Sequence, residues 1–572
     1  MRITNIIQIS TVAFILLFGL PAGRNPLVGA GPAHADTAVL VKTIVGPDTV
    51  TFFGNSIAVG DFNGDNSSDM IIGASDLSGS IGSPGWAYMY YGGSAFDSLW
   101  DVQYRGVQGR VGDWTGYGKA VSSAGDFDGD GYDDIVIGSP HYDDSLSSTG
   151  DDGRIYLYKG GLTPDTIPLW CLDSPHGDGA EFGYSAASIG DINKDGCSDI
   201  IVGSPVDFRG FTMSGAAYIL LGDSTNPDSG IDYELWGLRN SERFGCSVAG
   251  CDLNGDGWKD VLVGAQGIET IPVDTTILGR VYVFLGGASF DTTCDLYYQG
   301  RQKGAHFGRS ISHGDFNNDG YEDVIVGEYG YNSNTGRAYI YLGGAIPDTV
   351  PDLIVNGEQA GSRFGYNVCG AGDLNGDSVD DWLVSAHRYQ NGFDSLAGRI
   401  YVYYGGAILN SVPGVIITGI KKNSLGGVLT RLNDINNDGK KEFSAFCNLE
   451  RRMDGGDTLG VLIYNIGVNG VANQSVDENN SKDIYLKCYP NPFSKSAVFT
   501  YQVPRDSDIK LSVYNIAGQL VKTIEKGFKK AGNYKIEWNG IGNNGEKLAN
   551  GIYFYKLNIN NQTITKKLIL LK

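Results

Sequence analysis

Histidine and cysteine, the side chains on which many catalytic and metal centres depend, are scarce in this sequence, with 6 and 8 of 572 residues. The histidines form no HExxH pair and the cysteines no CxxC pair, which excludes the common zinc and thiol redox motifs. GxSxG, P-loop and dinucleotide-binding motifs are also missing. We therefore predict no catalytic residue, no residue that binds an organic cofactor, and no enzymatic activity.

Basic residues are also few relative to acidic residues. The chain has 43 Lys and Arg against 65 Asp and Glu, and its formal net charge is -22. The deficit lies in residues 36–483, whose charge is near -33, whereas residues 484–572 hold 14 basic and 5 acidic side chains. Such an acidic surface argues against nucleic acid, and we expect no nucleic-acid partner.

Long apolar runs are missing beyond the N-terminus. There, Arg2 precedes an apolar run from Ile6 to Leu20, and Ala33-His34-Ala35 offers a small-residue cleavage site before Asp36. Residues 1–35 are therefore predicted to be a secretory signal peptide, with cleavage nearer Gly23 as an alternative. No other segment approaches the length needed to cross a bilayer, so we expect no transmembrane anchor in the mature chain.

Glycine, by contrast, is abundant, with 84 residues. These glycines have no collagen-like period and fall at turns between short apolar runs. That distribution is typical of an all-β repeat protein.

One acidic stretch, residues 126–134, recurs seven times and organises the chain. Acidic or amide side chains occupy its positions 1, 3 and 5, Gly131 at position 6 permits a sharp turn, and Asp134 follows at position 9. A hard cation such as calcium prefers six to eight oxygen ligands at about 2.3 to 2.6 Å, which this spacing can supply. Position 7 has no common side-chain chemistry, as expected of a residue that donates only its backbone oxygen.

The seven loops predict up to seven structural Ca²⁺ ions. The predicted ligands are Asp61, Asn63, Asp65, Ser67, Asp69; Asp126, Asp128, Asp130, Tyr132, Asp134; Asp191, Asn193, Asp195, Cys197, Asp199; Asp252, Asn254, Asp256, Trp258, Asp260; Asp315, Asn317, Asp319, Tyr321, Asp323; Asp373, Asn375, Asp377, Val379, Asp381; and Asp434, Asn436, Asp438, Lys440, Glu442. The last loop departs most, with Glu442 at position 9, and the loops at 61 and 373 lack Gly at position 6. An EF-hand is excluded because position 12 is not Glu and the flanks read as strands. The alternative is that these are ordinary hairpin turns that need no metal.

Each loop belongs to a unit of four short predicted strands, repeated about every sixty residues. In the third unit the strands begin near Phe182, Ile200, Gly215 and Tyr233. Seven such units predict a seven-bladed β-propeller. The seventh unit lacks a fourth strand, and a lone strand from Val39 to Val45 precedes the first unit, so we expect the N-terminal strand to complete the last blade and close the ring.

These motifs resemble the FG-GAP repeat of the integrin alpha-subunit propeller over residues 39–466. The resemblance rests on Phe-Gly-x-Ser at the start of units, Gly-Asp-x-Asn-Gly-Asp-Gly in the loops, and an apolar run ending in a Gly-[Ala/Ser]-Pro-like sequence. It implies calcium in the loops between first and second strands. Tyr117-Gly118 and Leu425-Gly426 depart from the Phe-Gly pattern.

Strand parity places the variable loops on the face opposite the calcium loops, and loops on a rigid scaffold often carry recognition. Their aromatic residues either stack on a ligand or merely cover the loops. These residues are Trp86, Tyr142, Phe208, Phe211, Tyr329, Tyr331, Tyr389 and Phe393.

The C-terminus is predicted to form a second domain after a linker at residues 471–483. Alternating apolar positions and turn residues in 484–572 predict a small immunoglobulin-like β-sandwich of about seven strands. The order of motifs, from Tyr489-Pro490-Asn491-Pro492-Phe493 to Gly551-Ile552-Tyr553-Phe554-Tyr555, closely resembles the C-terminal sorting domain of the type IX secretion system. That resemblance implies export to the surface of a Gram-negative bacterium, followed by release or attachment. The alternative is a plain accessory module.

Together these features predict an all-β protein, with a propeller at residues 36–470, that is secreted or held at the cell surface. We expect a monomeric adhesion or recognition module that binds an extracellular protein or a polysaccharide and contacts the type IX machinery through residues 484–572. The competing hypothesis is an extracellular lyase or hydrolase acting on polysaccharide, which a pair of carboxylates at the propeller channel would favour. A structural surface-layer component is a third possibility, because fold alone does not decide function.

Overall fold

The computed structural model divides the chain into two compact units, residues Met1–Val471 and Ala472–Lys572. The structure describes residues 7–8, 36–47, 52–75, 84–107, 115–143, 151–177, 179–208, 214–267, 278–392, 396–419, 424–451, 457–467, 486–489, 493, 495–503, 506–515, 518–530, 532–543, 545–559 and 562–570. The predicted linker, Phe211, Phe393 and all of the predicted signal peptide except Ile7 and Gln8 lie outside these residues.

The described part of the first unit forms seven antiparallel sheets of four strands each, as the sequence predicts, and β1 (Ile7–Gln8) extends the sixth sheet. Blade 1 is β3 (Phe53–Gly60), β4 (Asp69–Ala74), β5 (Trp86–Tyr90) and β6 (Val102–Arg105); blade 2 is β7 (Ala120–Gly125), β8 (Asp134–Ser139), β9 (Arg154–Tyr158) and β10 (Trp170–Asp173). Blade 3 is β11 (Ser185–Gly190), β12 (Asp199–Ser204), β13 (Ala216–Leu220) and β14 (Tyr233–Trp236); blade 4 is β15 (Phe244–Cys251), β16 (Asp260–Ala265), β17 (Arg280–Phe284) and β18 (Leu296–Gln299).

The last three blades follow the same plan. Blade 5 is β19 (Ile311–Gly314), β20 (Asp323–Glu328), β21 (Arg337–Tyr341) and β22 (Leu353–Asn356), with a helical turn α1 (Tyr331–Asn334) before its third strand. Blade 6 is β23 (Phe364–Gly372), β24 (Asp381–Ala386), β25 (Arg399–Tyr403) and β26 (Val415–Gly419). Blade 7 is β27 (Leu429–Asn433), β28 (Glu442–Arg451), β29 (Asp457–Gly467) and β2 (Thr37–Val45).

The N-terminal strand closes the ring, as predicted from the sequence. Strand β2 pairs antiparallel with β29, so the outer strand of blade 7 comes from the start of the chain. The first strands of neighbouring blades contact one another all the way round, from β3 to β27 and back to β3. These first strands line the central channel, and closure leaves no blade without a neighbour on either side.

The core lies between the blades. Every residue of the second strand is buried in the first six blades, which explains why these apolar runs do not alternate with polar residues. Seven clusters of buried side chains each join two adjacent blades, including the pair formed by blades 7 and 1. The Tyr117 and Leu425 side chains fill the position that Phe takes elsewhere and are equally buried.

The Phe-Gly motif brings two blades into backbone contact. Gly245 has a φ of 87° and lies so close to blade 3 that a Cβ there would stand 2.1 Å from the carbonyl oxygen of Ala216. Only glycine permits both the left-handed backbone and this approach. The hydroxyl group that follows in the motif also joins blades: Ser56 accepts the Val121 N–H at 2.9 Å, and Ser247 donates to the Gly308 carbonyl at 2.8 Å. These two serines therefore have a structural role at the blade interfaces.

The second unit is a sandwich of two antiparallel sheets. One sheet has the order β30 (Leu486–Tyr489), β31 (Ala497–Val503), β34 (Gly532–Trp538); the other has β33 (Leu520–Lys529), β32 (Ser507–Asn515), β35 (Gly551–Ile559), β36 (Gln562–Leu570). Phe499, Trp538, Tyr555 and Leu568 belong to its shared core. The seven strands among the described residues agree with the predicted immunoglobulin-like sandwich.

No helix in the described residues combines the length and the hydropathy needed to span a bilayer. All eight cysteines are free thiols, in agreement with their irregular spacing.

Candidate functional site

Seven nine-residue loops connect the first and second strands of the blades, as predicted, and they share one hydrogen-bond pattern. The N–H at position 6 donates to the carboxylate at position 1 in every loop, at 2.8 to 3.0 Å. The N–H at position 7 donates to the carboxylate at position 5, at 2.7 to 3.1 Å. This pattern uses only the backbone of position 7, which is consistent with its variable side chains.

The turn at position 6 keeps its left-handed backbone even where glycine is missing. Gly131 has a φ of 92°, and Asn66 and Ser378 adopt 63° and 70° at the same position. A left-handed conformation costs a non-glycine residue on the order of 1 kcal/mol. The two loops that lack glycine therefore fold in the same way at a small cost.

The carboxylate at position 9 is the buried anchor of each loop. In loop 2, the carboxylate of Asp134 accepts the N–H of Phe127 at 3.1 Å and the N–H of Gly160 at 2.9 Å. The same two bonds recur at Asp69, Asp199, Asp260, Asp323 and Asp381. Each carboxylate thus ties its loop to the end of the third strand.

Burial changes the acidity of these anchors. It raises the pKa of Asp134 to about 7, and it has the same effect on its equivalents in the other loops. For Asp260 the pKa rises to about 6. Neighbouring carboxylates, at positions 3 and 5 for Asp134 and at positions 1 and 5 for the others, add to the rise in pKa. A cation placed among them would relieve this repulsion.

Glycine residues after the third strand belong to these sites and were missed from the sequence. A Cβ on Gly160 would stand 2.3 Å from the carbonyl oxygen of Asp133, so only glycine can bring its N–H to Asp134. The sequence does contain a pattern that could have identified these glycines, because an apolar or aromatic third strand followed by glycine recurs in the first six units.

The loops are also bonded to one another around the ring. The position-8 N–H donates to the position-1 carbonyl of the preceding blade: Asp133 to Asp61 at 3.2 Å, Ser198 to Asp126 at 2.8 Å, Glu322 to Asp252 at 3.2 Å, and Asp380 to Asp315 at 3.3 Å. In addition, the Asp61 N–H donates to the Asp133 carboxylate at 2.9 Å. A conformational change in one nine-residue loop would therefore act directly on the hydrogen bonds of the neighbouring blade.

The oxygen atoms of two loops converge in a way that suits a cation. Ligand atoms of Asp126, Asp128 and Asp130 lie within 4.8 Å of one another, as do those of Asp434, Asp438 and Glu442. Among the described residues, no other loop gathers three acidic groups this closely. The loop with Glu442, which departs most from the sequence pattern, is thus one of the two most convergent.

Unpaired oxygen atoms support the same fit. Asp126 Oδ1, Asp128 Oδ1 and Asp252 Oδ1 are buried and have no hydrogen-bond donor within the described part of the chain. A buried carboxylate oxygen without a donor is costly unless a cation or water satisfies it. The donor set of carboxylate and amide oxygens is the one that Ca²⁺ prefers.

Loop 2 contains a cation of its own. Lys159 Nζ lies 2.5 Å from Asp128 Oδ2 and 3.3 Å from Asp130 Oδ2. The equivalent position is Tyr91, Leu221, Leu285, Leu342 or Tyr404 in other blades. Sequence reasoning missed this contact because Lys159 directly follows the third strand of the blade and does not belong to the nine-residue loop.

On the opposite face, the aromatic residues of the variable loops are largely engaged with the chain's own arginines. The guanidinium carbon of Arg154 lies 3.8 Å from the ring centre of Tyr142, and Arg337 and Arg399 approach Tyr331 and Tyr389 at 3.3 and 3.6 Å. Tyr329 is buried, and Trp86 faces Arg105 at 5.2 Å. Phe208, in contrast, is exposed. Most of these aromatic residues therefore cover the variable loops, which is one of the two roles that the sequence leaves open.

Comparison with protein families finds two matches. The FG-GAP repeat matches residues 53–85, 118–158, 182–220, 244–284 and 307–341, which lie in the first five blades. Blades 6 and 7 lie outside these ranges and have the same loop geometry. A FlgD Ig-like domain matches residues 492–563.

Among curated proteins, integrin alpha-5 of Xenopus laevis is 33% identical over 219 residues, which is 36% of this chain and 20% of the relative. Integrin alpha-PS2 of Drosophila melanogaster is 32% identical over 238 residues, 39% of this chain and 16% of the relative. Human integrin alpha-IIb is 28% identical over 232 residues, 39% of this chain and 21% of the relative. The chain thus spans about one fifth of the length of the relatives it matches.

Two solved structures align with this chain at low TM-scores. A structure of PorZ, described as a bacterial surface component of the type-IX secretion system of Porphyromonas gingivalis, aligns with a TM-score of 0.38 and 14% identity, covering 92% of this chain and 60% of PorZ. The Dos1 propeller aligns with a TM-score of 0.39 and 12% identity, covering 74% of this chain and 81% of that one. At these TM-scores we draw no functional conclusion from either. The first unit is a β-propeller with five FG-GAP repeats and with integrin alpha chains among its homologues, and the second unit contains an Ig-like domain.

Proposed function

We propose that this chain is an extracellular recognition module, a calcium-stabilised propeller that holds a protein or polysaccharide ligand on the face opposite its nine-residue loops. The proposal rests on the difference between the two faces of the propeller. One face consists of seven acidic loops with a single geometry, bonded from blade to blade. The other bears loops that differ in length and sequence, as recognition surfaces on rigid scaffolds do.

The calcium ions would have a structural role. Carboxylate and amide oxygens at positions 1, 3, 5 and 9 and the carbonyl at position 7 would hold each ion. Bound calcium screens the repulsion among these carboxylates and fixes the hairpin. Since position 8 is bonded to the preceding loop, fixing one hairpin also stiffens the blade interface.

Thermal unfolding of the full chain with and without excess EDTA tests the calcium part of the proposal. We expect EDTA to lower the melting temperature and added CaCl₂ to restore it, because a ligand that binds only the folded state stabilises it. MgCl₂ should restore it less, since Mg²⁺ demands stricter octahedral geometry. An unchanged melting temperature in EDTA would mean that the loops are ordinary turns.

Binding of the calcium-loaded chain to a glycan array and to an array of extracellular proteins tests recognition. A hit that is lost after substitution of the exposed Phe208 to Ser, and kept after substitution of the exposed Lys194 on the loop face, supports the proposal. A glycan hit would then be tested for cleavage, which separates a binding module from a polysaccharide lyase or hydrolase. If the chain binds nothing on either array, the recognition function is contradicted and a structural role in a surface layer is favoured.

We also propose that residues 484–572 direct export through the type IX system to the surface of a Gram-negative bacterium. The support is the motif order from Tyr489 to Tyr555 and the basic charge of this segment, which contrasts with the acidic propeller. In a host with that machinery, the full chain should reach the surface or medium and a chain ending at residue 483 should stay in the periplasm. Equal export of both chains would make the domain an accessory module. Light scattering of the exported protein would check the expected monomer.

A further inference from the structure

The channel end opposite the acidic loops carries a group of basic side chains. Lys119 in blade 2 and Arg309 in blade 5 occupy the same repeat position, directly after the Tyr-Gly or Phe-Gly pair. That position lies at the start of the first strands, which line the channel. Burial and the positive charge of Arg309 lower the pKa of Lys119, so two cations from blades well apart in the ring act on each other. We call Lys119, Tyr184, Arg309, Arg363 and Tyr366 the mouth cluster.

Aromatic rings hold these cations in place. Arg309 lies 4.2 Å from the ring centre of Tyr366 and donates from Nη2 to its hydroxyl at 3.0 Å. Lys119 Nζ lies 5.2 Å from the ring centre of Tyr184, and Arg363 lies 5.2 Å from that of Tyr329. Cation–π contacts of this kind orient a charge but do not neutralise it.

The positive charge of the mouth cluster has no matching carboxylate. In the part of the chain that the structure describes, Lys119, Arg309 and Arg363 form no ion pair within 4.0 Å, and the acidic side chain that acts on the cluster, Glu181, is bonded to Arg243 at 3.2 Å. The remainder of the propeller is rich in acidic residues, so the imbalance here is local. Half-buried cations without a counter-ion are costly to the free protein.

Two neighbouring imidazoles are also unsatisfied. His306 Nδ1 and His387 Nδ1 are buried and lack a hydrogen-bond partner among the described residues. His387 packs against Tyr366 with ring centres 3.8 Å apart, and His306 stacks on Tyr329 at 4.7 Å. The cations and imidazoles therefore pack against the rings of Tyr184, Tyr329 and Tyr366, so these three tyrosines are poorly placed to stack on a sugar ring.

We propose that the mouth cluster binds a carboxylate side chain of a partner protein, which reaches into the channel between Lys119 and Arg309. The inference rests on the proposed recognition function and specifies the chemistry of its ligand. The incoming carboxylate supplies the counter-charge that the cluster lacks, and the covered tyrosine faces favour a single inserted side chain over a polysaccharide lying across the opening. Arginine suits this role because its guanidinium binds carboxylate in a bidentate manner.

Fluorescence anisotropy of the calcium-loaded full chain with a labelled hexaglutamate peptide tests the proposal. We expect saturable binding that weakens with salt, and at least about a tenfold loss of affinity for Arg309→Gln and Lys119→Met. Arg154→Gln is the matched control, since Arg154 also stacks on a tyrosine of the same face but is already paired with Asp173; its affinity should change less than about twofold. A Glu181→Gln variant, which removes the local acid, should bind at least as tightly as the parent. If Arg309→Gln proves unstable, Arg363→Gln replaces it.

Absence of hexaglutamate binding, or an equal loss with Arg154→Gln, overturns the proposal. Tighter binding of an oligogalacturonate of equal charge would also overturn it, because it would assign the site to an acidic polysaccharide. If hexaglutamate does not bind while an array ligand binds through other loops, the proposed role of the mouth cluster is wrong and the proposed recognition function is retained. If no array ligand binds either, both proposals are contradicted.

Discussion

Lys159 places its ammonium group 2.5 Å from the carboxylate of Asp128, inside the one nine-residue loop that has Asp instead of Asn at position 3. Its Nζ is also 3.3 Å from Asp130 Oδ2. The extra acid and the extra base occur in the same blade and in no other. In loop 2 the Lys159 ammonium group therefore lies among the carboxylates that could hold a metal, and a metal ion entering this loop would compete with it.

Removing that ammonium should add one calcium ion at low calcium concentration. In Lys159→Met the loop keeps Asp126, Asp128, Asp130 and Asp134 but loses the competitor, so we expect calcium affinity to rise by about tenfold, on the scale of one close charge pair. Native mass spectrometry at limiting free calcium counts the ions bound.

The matched control is Lys194→Met. Lys194 lies on the same face, in loop 3, but contacts the ring of Trp258 at 3.8 Å and no carboxylate within 4.0 Å among the described residues. If both variants gain an ion equally, the effect comes from net charge alone and the contact with Asp128 is irrelevant.

The buried anchor of each loop should stabilise the fold even without metal. Asp260 accepts the N–H groups of Leu253 and Gly286 at 2.8 and 2.7 Å. In Asp260→Ala both donors lose their acceptor, so we expect a loss of about 2 kcal/mol in the free energy of unfolding in EDTA. Urea denaturation followed by tryptophan fluorescence measures the loss.

Asp256→Ala provides the comparison within the same loop. Asp256 is exposed, and it accepts the Trp258 N–H at 2.8 Å and an N–H of the Asn254 side-chain amide at 3.0 Å. In EDTA its substitution should cost less than about 1 kcal/mol. In calcium both variants should lose part of the calcium-induced rise in melting temperature. Equal losses in EDTA would show that burial does not distinguish the two carboxylates.

A methyl group at the Phe-Gly contact should be poorly tolerated. In Gly245→Ala the new Cβ would stand 2.1 Å from the Ala216 carbonyl oxygen at a φ of 87°. The blades would have to separate, and we expect a loss of about 3 kcal/mol or more. Gly361 has a φ of 80° and nothing within 4 Å of its Cβ position, so Gly361→Ala should cost only about 1 kcal/mol. Similar melting temperatures for the two variants would contradict the close packing.

The sequence is informative where structure depends on nearby residues. The spacing of Asp126, Asp128, Asp130 and Asp134 predicts the loop because its contacts are local: three of these side chains, those of Asp126, Asp130 and Asp134, accept backbone N–H groups within the nine residues. The missing fourth strand of the last unit likewise predicts the pairing of β2 with β29, since a propeller has to close.

Contacts between distant repeats are harder to predict. Asp61 and Asp133 are 72 residues apart, and their mutual bonds follow from the angle between blades. The electrostatic effect of Arg309 on the pKa of Lys119 depends on the width of the ring, which no local pattern encodes. For the same reason the sequence identified candidate ligand loops on one face and overlooked the basic group at the other end of the channel.

Acid should destabilise the propeller through His387. Burial, helped by Arg363, Arg388 and Arg309, lowers the pKa of His387 to about 3. The unfolded chain binds a proton near its usual pKa of about 6.5 while the folded protein does not, so stability is lost as the pH falls from about 6.5 towards 3. At pH 5 this amounts to about 2 kcal/mol relative to pH 7.

His387→Phe keeps an aromatic ring against Tyr366 and removes the titration. The difference in unfolding free energy between pH 7 and pH 5 should therefore shrink by about 2 kcal/mol in the variant, as measured by urea denaturation in saturating calcium at both pH values. Because the acidic loops are unchanged, their own response to pH cancels in the comparison with the parent. His176→Phe is the control, since His176 is 39% exposed and lies away from the arginines of the mouth cluster, near Glu234. If the pH dependence of His387→Phe equals that of the parent, His387 is protonated in the folded protein at pH 5. The channel mouth would then be more hydrated and less positive than its geometry implies.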